Sequence, residues 1–110
     1  MSQVNRKFMR MMVFFDLPVS TREQRRAYRL FRTFLLRDGY DMMQFSVYSR
    51  IINGVDDFHK HLKRLNRNLP AEGSIRCLQV SEKQFSEMRL LVGTATVQEK
   101  TVTAQQITLF

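Results

Sequence analysis

The sequence is poor in the residues that build disulfides, zinc sites and glycine-rich phosphate loops. It contains one cysteine, no tryptophan, two prolines and four glycines in 110 residues. Because Cys77 stands alone, an internal disulfide is excluded, and His59 and His61 are too few to complete a zinc site with it. The glycines are scattered rather than gathered in one phosphate-binding loop, at positions 39, 54, 73 and 93.

Long hydrophobic runs are also missing. No apolar run approaches the roughly 18 residues that a membrane-spanning helix needs. The beginning of the sequence lacks the cationic start, apolar run and small-residue cleavage site of a secretory signal. We therefore expect a cytoplasmic protein that does not contact a membrane.

Positive charge is what the sequence has in excess. Lysine and arginine number 18 against 10 acidic residues, which gives a net charge of +8, and 13 of the 18 are arginines. A planar guanidinium group grips phosphate through two parallel hydrogen bonds, so this excess favours a nucleic-acid partner. A generally basic surface is the plainer alternative. Membrane binding is disfavoured, because basic membrane helices are usually rich in lysine and carry tryptophan.

Residue periodicity divides most of the chain into alternating strands and helices. The nearly unbroken apolar run over residues 8–15 predicts a central strand. Helical spacing follows over residues 22–37, with Ser20 or Thr21 as the N-cap. The later segments are a β-rich stretch over 40–52 that forms one bent strand or two short ones, a helix over 55–68, a strand over 74–80, and a short helix over about 82–90 with Phe85 and Met88 facing inward.

With the β-rich stretch counted as two strands, the order is βαββαβ, the ferredoxin-like arrangement of the α+β class. Both helices then cover one face of the sheet, and the apolar residues of the other face need a cover. We therefore predict a homodimer packed sheet to sheet, with residues 1–92 as the ferredoxin-like domain. Residues 93–110 are predicted to be a linker ending in an apolar strand, Ile107-Thr108-Leu109-Phe110, that pairs with a partner chain or folds back on its own sheet.

Few residues remain as candidates for chemistry. Cys77 lies within a predicted strand and is interpreted as a small core residue, and His59 lies on the apolar stripe of its helix and is interpreted as a packed histidine. Asp16 closes the apolar strand just before Pro18, where a carboxylate either emerges into a binding site or bonds its own turn. One carboxylate is a poor Mg²⁺ site, but two copies of Asp16 in a dimer could hold one ion between them.

Three segments at these spacings resemble the CRISPR-associated protein 2 family, the small adaptation protein of prokaryotic CRISPR systems. They are residues 13–18 (VFFDLP), the arginine-rich helix ending at Phe34 and Leu35 before Gly39, and residues 44–48 (QFSVY). The resemblance spans about residues 8–92. The long first helix and residues 81–85 (SEKQF) are similar to members from type II-A systems.

The resemblance implies a ferredoxin-like homodimer whose C-terminal strands exchange with or lean on the partner. It implies that the dimer bridges two dimers of the integrase, CRISPR-associated protein 1, and holds a duplex DNA prespacer. It also implies a metal-dependent nuclease activity in some members, assigned to the aspartate that matches Asp16. Some nuclease-active members have Tyr before that aspartate, whereas Phe15 stands here and cannot donate a hydroxyl.

Nucleic-acid contacts are expected near the start of the first long helix, where backbone amides add to anion binding. The candidates are Arg22, Arg25, Arg26 and Arg29, with Arg6, Lys7 and Arg10 as a weaker second cluster. Three functions follow. The first is a scaffold that holds duplex DNA for spacer integration. The second is a Mg²⁺-dependent endonuclease that uses Asp16 from both protomers on RNA or DNA, or a ribonuclease toxin of similar fold. The third is a plain nucleic-acid-binding module.

Overall fold

The computed structural model describes residues 8–93, and these residues form one antiparallel sheet with helices on it. The elements are, in chain order, β1 (Phe8–Asp16), α1 (Arg22–Arg37), β2 (Asp41–Gln44), β3 (Val47–Asn53), α2 (Val55–Asn66), β4 (Ser74–Ser81) and α3 (Glu82–Ser86). The strand order in the sheet is β2-β3-β1-β4, which confirms the ferredoxin-like fold. The predicted C-terminal strand lies outside the described residues. No helix within residues 8–93 is both long and apolar enough to cross a membrane.

β1 is a central strand that pairs antiparallel with β3 on one side and β4 on the other. Successive side chains of a strand point to opposite faces, so Met11, Val13 and Phe15 point together into the core beneath α1 and α2. The Phe15 ring meets the Phe31 ring edge to face at 5.2 Å and stacks on the Tyr48 ring at 5.6 Å. Each buried side chain of this size contributes about 1.5–3 kcal/mol, so the core fixes which face of β1 turns inward.

The helix α1 begins at a capping box that selects Thr21, rather than Ser20, as its N-cap. The Thr21 hydroxyl oxygen accepts from the Gln24 amide at 3.1 Å, and the Gln24 side-chain oxygen accepts from the Thr21 amide at 3.0 Å. Phe31 and Leu35 bury the inner stripe of the helix. The reciprocal cap satisfies two amides that would otherwise lack partners and fixes where the helix begins.

The β-rich stretch forms two strands, β2 and β3, joined by a tight turn. Ser46 at this turn has a positive φ of 68°, and its carbonyl accepts a hydrogen bond from the Phe15 amide at 3.0 Å. The turn is therefore tied to the carboxyl end of β1, directly before Asp16. The β2–β3 hairpin therefore helps to position Asp16 through this backbone hydrogen bond.

Gly73 allows the loop before β4 to approach the end of β1. Its φ is +99°, and a Cβ placed there would lie 2.7 Å from the Asp16 carbonyl oxygen and 2.6 Å from Leu17 Cδ2. Both distances are shorter than non-bonded heavy atoms tolerate, and L-residues with a side chain rarely adopt this φ. Glycine is therefore required here for β4 to reach its register beside β1.

The prediction that His59 is the packed histidine was wrong, because His61 takes that place. His61 is 3% exposed, whereas His59 is exposed to solvent. The His61 ring lies between two carboxylates, with Nδ1 2.8 Å from Asp38 Oδ2 and Nε2 3.3 Å from Asp57 Oδ1. Either histidine could lie on an apolar stripe with helical spacing. His61 is the buried one because its ring pairs with Asp38 at the C-cap of α1.

Asp38 and Asp57 hold the surroundings of this histidine together. Asp38 Oδ1 accepts from Arg64 at 2.8 Å and its backbone carbonyl accepts from Arg50, so this residue joins α1, α2 and β3. Burial works against the charged form of Asp57. The Asn53 amide, Lys60 and His61 outweigh that effect, so the pKa of Asp57 lies below its ordinary value.

The short helix α3 lies on the sheet face opposite α1 and α2, and it ends at Ser86 rather than near residue 90. The Arg10 guanidinium stacks 4.2 Å from the centre of the Phe85 ring, and its Nε lies 2.7 Å from Glu82 Oε2. Met88, predicted to face inward, is exposed. A short helix depends on tertiary packing of an apolar face. The apolar residues just after Ser86 are exposed and have no such packing within the described part of the chain, so the helix ends there.

Substituting Gly73→Ala should destabilise the protein by about 1–3 kcal/mol, because the new Cβ is strained and meets the backbone of Asp16. Gly54→Ala is the matched control, since Gly54 also has a positive φ but nothing lies within 4 Å of its Cβ position. Urea unfolding measures both. If both variants lost the same unfolding free energy, the close approach of Gly73 to the backbone of Asp16 would be contradicted.

Substituting Asp57→Asn should cost about 1–2 kcal/mol near neutral pH, because hydrogen bonds and a charge partner are weakened. Because the pKa of Asp57 is lower in the folded state, its charged form stabilises the protein at pH values above the unfolded-state pKa of 3.8. This stabilisation is lost as the pH falls through the folded-state pKa. The stability gap between wild type and variant should therefore close in acid. Asp56→Asn, in the same first helical turn, controls for the helix dipole. A gap independent of pH would contradict the assignment.

Candidate nucleic-acid interface

Asp16 is the last residue of β1 and its side chain is exposed. Because Phe15 points into the core, alternation along the strand places Asp16 on the other side of the sheet. We call that side, opposite α1 and α2, the open face. Within residues 8–93, Asp16 forms no ion pair with a lysine or arginine. The structure therefore presents a free carboxylate at the end of a strand whose backbone is fixed on both sides.

Two polar residues of β4 neighbour Asp16, and sequence reasoning missed both. Ser74 lies directly opposite Asp16 in the register, and Arg76 lies opposite Phe14. Directly opposed residues have Cβ atoms about 4.5–5.5 Å apart, and diagonal neighbours remain within reach of long side chains. Arg76 is exposed and therefore adds a cation diagonal to the Asp16 carboxylate. Only the strand register could have revealed this neighbour.

A single copy of the described chain does not complete a metal site. No group of three or more histidine, cysteine, aspartate or glutamate side chains within residues 8–93 is arranged to hold an ion. Mg²⁺ demands near-octahedral oxygen ligands and is usually held through one or two carboxylates plus waters or phosphates. Asp16 alone could supply one such ligand, so any Mg²⁺ at this position would need a second Asp16 or a bound phosphate.

The other side chains that could have acted as nucleophiles remain neutral. Burial raises the pKa of the Cys77 thiol to about 11, and Cys77 packs against the core as predicted. Burial also raises the pKa of Tyr48, although Arg32 beside its hydroxyl acts in the opposite direction. Both groups therefore keep their protons near neutral pH, so neither supplies a thiolate or phenolate there.

The four predicted nucleic-acid-binding arginines form one exposed stripe on the outer side of α1. The spacing of Arg22, Arg25, Arg26 and Arg29 is i, i+3, i+4 and i+7, and all four are exposed. Arg25 is also tied to the loop before the helix, since its Nη1 donates to the carbonyls of Val19 and Ser20 at 3.1 Å each. The stripe lies on the first two turns of α1, and five residues separate that helix from Asp16.

Arg10 does not belong to a basic surface cluster, which corrects that part of the expectation. It is 2% exposed, and its guanidinium is occupied by Glu82 and the Phe85 ring. Its position in β1 places it beneath α3, which sequence periodicity did not indicate. Arg6 and Lys7, the other members of the predicted second cluster, lie outside the described residues.

The open face carries an apolar patch around its centre. Alternation in the three longest strands places these side chains there: Met12, Phe14, Val47, Ile51, Leu78 and Val80. Met12 is buried, but Ile51 is 42% and Leu78 is 52% exposed. Exposed apolar patches of this kind mark interaction surfaces.

Comparison with known proteins shows which family the chain belongs to. The family model described as CRISPR associated protein Cas2 matches residues 9–88. A "CRISPR-associated endoribonuclease Cas2" of Acidovorax ebreus (strain TPSY) is 64% identical over 102 residues, covering 93% of this chain and 100% of that protein. One of the same name from Streptococcus mutans serotype c (strain ATCC 700610 / UA159) is 47% identical over 85 residues, covering 77% of this chain and 78% of that one.

A solved structure titled "Crystal structure of cas2" superposes with a TM-score of 0.49 at 20% identity, covering 82% of this chain and 92% of that one. The family model spans most of the chain, and the Acidovorax relative matches along its whole length. The chain therefore belongs to the CRISPR associated protein Cas2 family, the adaptation proteins of CRISPR systems.

Proposed function

We propose that this protein is a scaffold of spacer acquisition: a homodimer that bridges two dimers of the integrase and holds the backbone of a duplex prespacer. The observation that carries the proposal is the stripe of four exposed arginines on α1. Phosphate contacts fix the position of a duplex without reading its sequence. A protein that must accept any invading DNA needs this property.

Dimerisation through the open face supports the scaffold. A sheet packed against helices on one side only leaves its other face in water unless a second layer covers it. The exposed Ile51 and Leu78 side chains are suited to such a contact, and a two-fold axis makes one patch complementary to itself. The axis would also duplicate the arginine stripe and bring two Asp16 carboxylates into one assembly.

Neutralising the arginine stripe should weaken duplex binding and abolish integration. The variant is Arg22→Gln/Arg26→Gln/Arg29→Gln; Arg25 is kept because it also holds the loop before α1. The log–log dependence of affinity on salt should fall by about 0.9 for each phosphate that the variant no longer neutralises. Fluorescence anisotropy on a labelled duplex, and integration into a repeat-bearing plasmid with purified integrase, measure the two effects.

The control Arg37→Gln/Lys83→Gln/Arg89→Gln removes the same charge elsewhere on the exposed surface. Light scattering and thermal unfolding test whether each variant is a folded dimer.

Asp16→Ala should integrate like the wild type, because a scaffold does not use that carboxylate. Normal integration by the stripe variant would contradict the proposed DNA surface, and failure of Asp16→Ala as a folded dimer would move a nuclease role to first place.

A second candidate function, a Mg²⁺-dependent endonuclease acting on RNA or DNA, is favoured by the free carboxylate of Asp16. The relatives carry the name endoribonuclease, which agrees with this candidate. Two Asp16 side chains across the dimer axis could hold one ion, and a bound Mg²⁺ supplies a water activated for attack on a phosphodiester. The exposed Arg76 beside this position would bind the phosphate.

Under this candidate, Asp16→Asn should abolish Mg²⁺-dependent cleavage of a labelled single-stranded RNA or duplex DNA. Leu78→Asp, which places a charge in the apolar patch, should abolish it as well, because the site needs two protomers. Asp41→Asn is the control, an exposed carboxylate on the edge strand β2. Denaturing gels measure cleavage, and light scattering measures the oligomeric state. Cleavage that persists in Asp16→Asn would point to a contaminant and remove the activity from this site.

A further inference from the structure

A second basic surface lies on α2, separate from the arginine stripe of α1. It is a shallow groove of about 320 Å³ along the solvent side of the helix. We call it the α2 groove, and its lining residues are Asp56, His59, Lys60, Lys63, Arg64 and Arg67. Four of these six side chains are cations. Among them, Lys63 and Arg67 form no ion pair with the residues that the structure describes, so no carboxylate there neutralises their charges.

We propose that the α2 groove binds the sugar–phosphate backbone of a nucleic acid, as a second contact surface beyond that of α1. The composition of the groove favours this partner. Every lining residue is polar or charged, whereas protein interfaces have an apolar or aromatic core that carries most of their binding energy. A nucleic-acid backbone is held by cations alone and needs no such core.

Two cations of the groove are fixed in advance by carboxylates beneath them. Lys60 Nζ lies 3.2 Å from Asp57, and Arg64 Nη1 lies 2.8 Å from Asp38. The Asp38 side chain is only 7% exposed, so it anchors Arg64 from below and presents little negative charge to solvent. Ordering these long side chains before binding reduces the entropy lost when a ligand arrives.

The two unpaired cations lie in a row along the helix axis, with His59 one turn before them. His59, Lys63 and Arg67 are spaced four residues apart, and at 1.5 Å per residue consecutive members rise by about 6 Å. One exposed carboxylate, Asp56, stands at the N-terminal end of the groove, so the positive potential is strongest toward Arg67. We therefore expect the sugar–phosphate backbone of the nucleic acid to lie against the C-terminal half of α2.

The fold places this half of α2 at the same end of the molecule as the α1 stripe. Because α1 follows β1 and α2 follows the antiparallel β3, the two helices run in opposite directions. Gln24 in the first turn of α1 donates to Glu72 in the loop after α2 at 3.2 Å. Glu23 and Glu72 line a cavity between the start of α1 and the loop after α2. The two basic surfaces lie on different helices and share no residue.

The test is the pair Lys63→Gln/Arg67→Gln, with Arg37→Gln/Lys83→Gln as a control of equal charge change. Anisotropy of a labelled random-sequence duplex is measured over a salt series with the full-length protein. The α2 pair should lower affinity roughly tenfold or more at moderate salt and reduce the salt slope by about 1.8, at 0.9 per phosphate. Thermal unfolding should show both variants folded.

The inference rests on nucleic-acid binding by this protein, and its failure is distinguishable from that of the proposed function. If the α1 stripe variant loses affinity while the α2 pair binds like the control, the α2 groove is not a backbone surface and the scaffold proposal stands. If neither variant changes affinity, both are overturned. Binding of a labelled poly-glutamate peptide in preference to the duplex at matched salt, abolished in the α2 pair, would assign the groove to an acidic protein partner and also overturn the inference.

Discussion

Backbone hydrogen bonding along both sides of β1 is the constraint on which the rest of the molecule depends. A strand paired on both sides cannot shift its register without losing two ladders at once, and a shift by one residue would turn Met11, Val13 and Phe15 out of the core. The same register fixes Asp16 at the carboxyl end, between the Ser46 turn and the first residue of β4. The position of the candidate carboxylate is therefore a consequence of core packing.

The distribution of charge follows a second constraint. Carboxylates that are buried or partly buried are paired here, as their loss of water requires. Asp38 and Asp57 enclose His61 and also hold Arg64 and Lys60. The cations that they anchor lie on the outer surface of α2. The arginines of α1 reach the surface on the first two turns of their helix, opposite its buried stripe. Asp38 and Asp57 thus serve the fold, while the arginines of the α1 stripe lie exposed on the surface.

The two faces of the sheet have different roles. α1 and α2 complete the core on one face and carry the basic surfaces on their outer sides. Among residues 8–93, the open face receives only the short helix α3, which occupies the Arg10 end and leaves Ile51 and Leu78 exposed. A second copy on the open face would complete the apolar layer without covering the basic surfaces of the helices. Dimerisation and nucleic-acid binding are therefore compatible in one small domain.

The sequence by itself determined the strand at residues 8–15 with Asp16 at its end, both long helices, and the stripe from Arg22 to Arg29. Each of these depends on a local periodicity or on a cap, which neighbours along the chain impose. Only the tertiary structure decided that His61 rather than His59 is buried, that Arg10 lies beneath α3, and that Ser74 and Arg76 neighbour Asp16. A partner distant in the chain determines each of these outcomes, and helical or strand spacing does not indicate which distant residue that partner is.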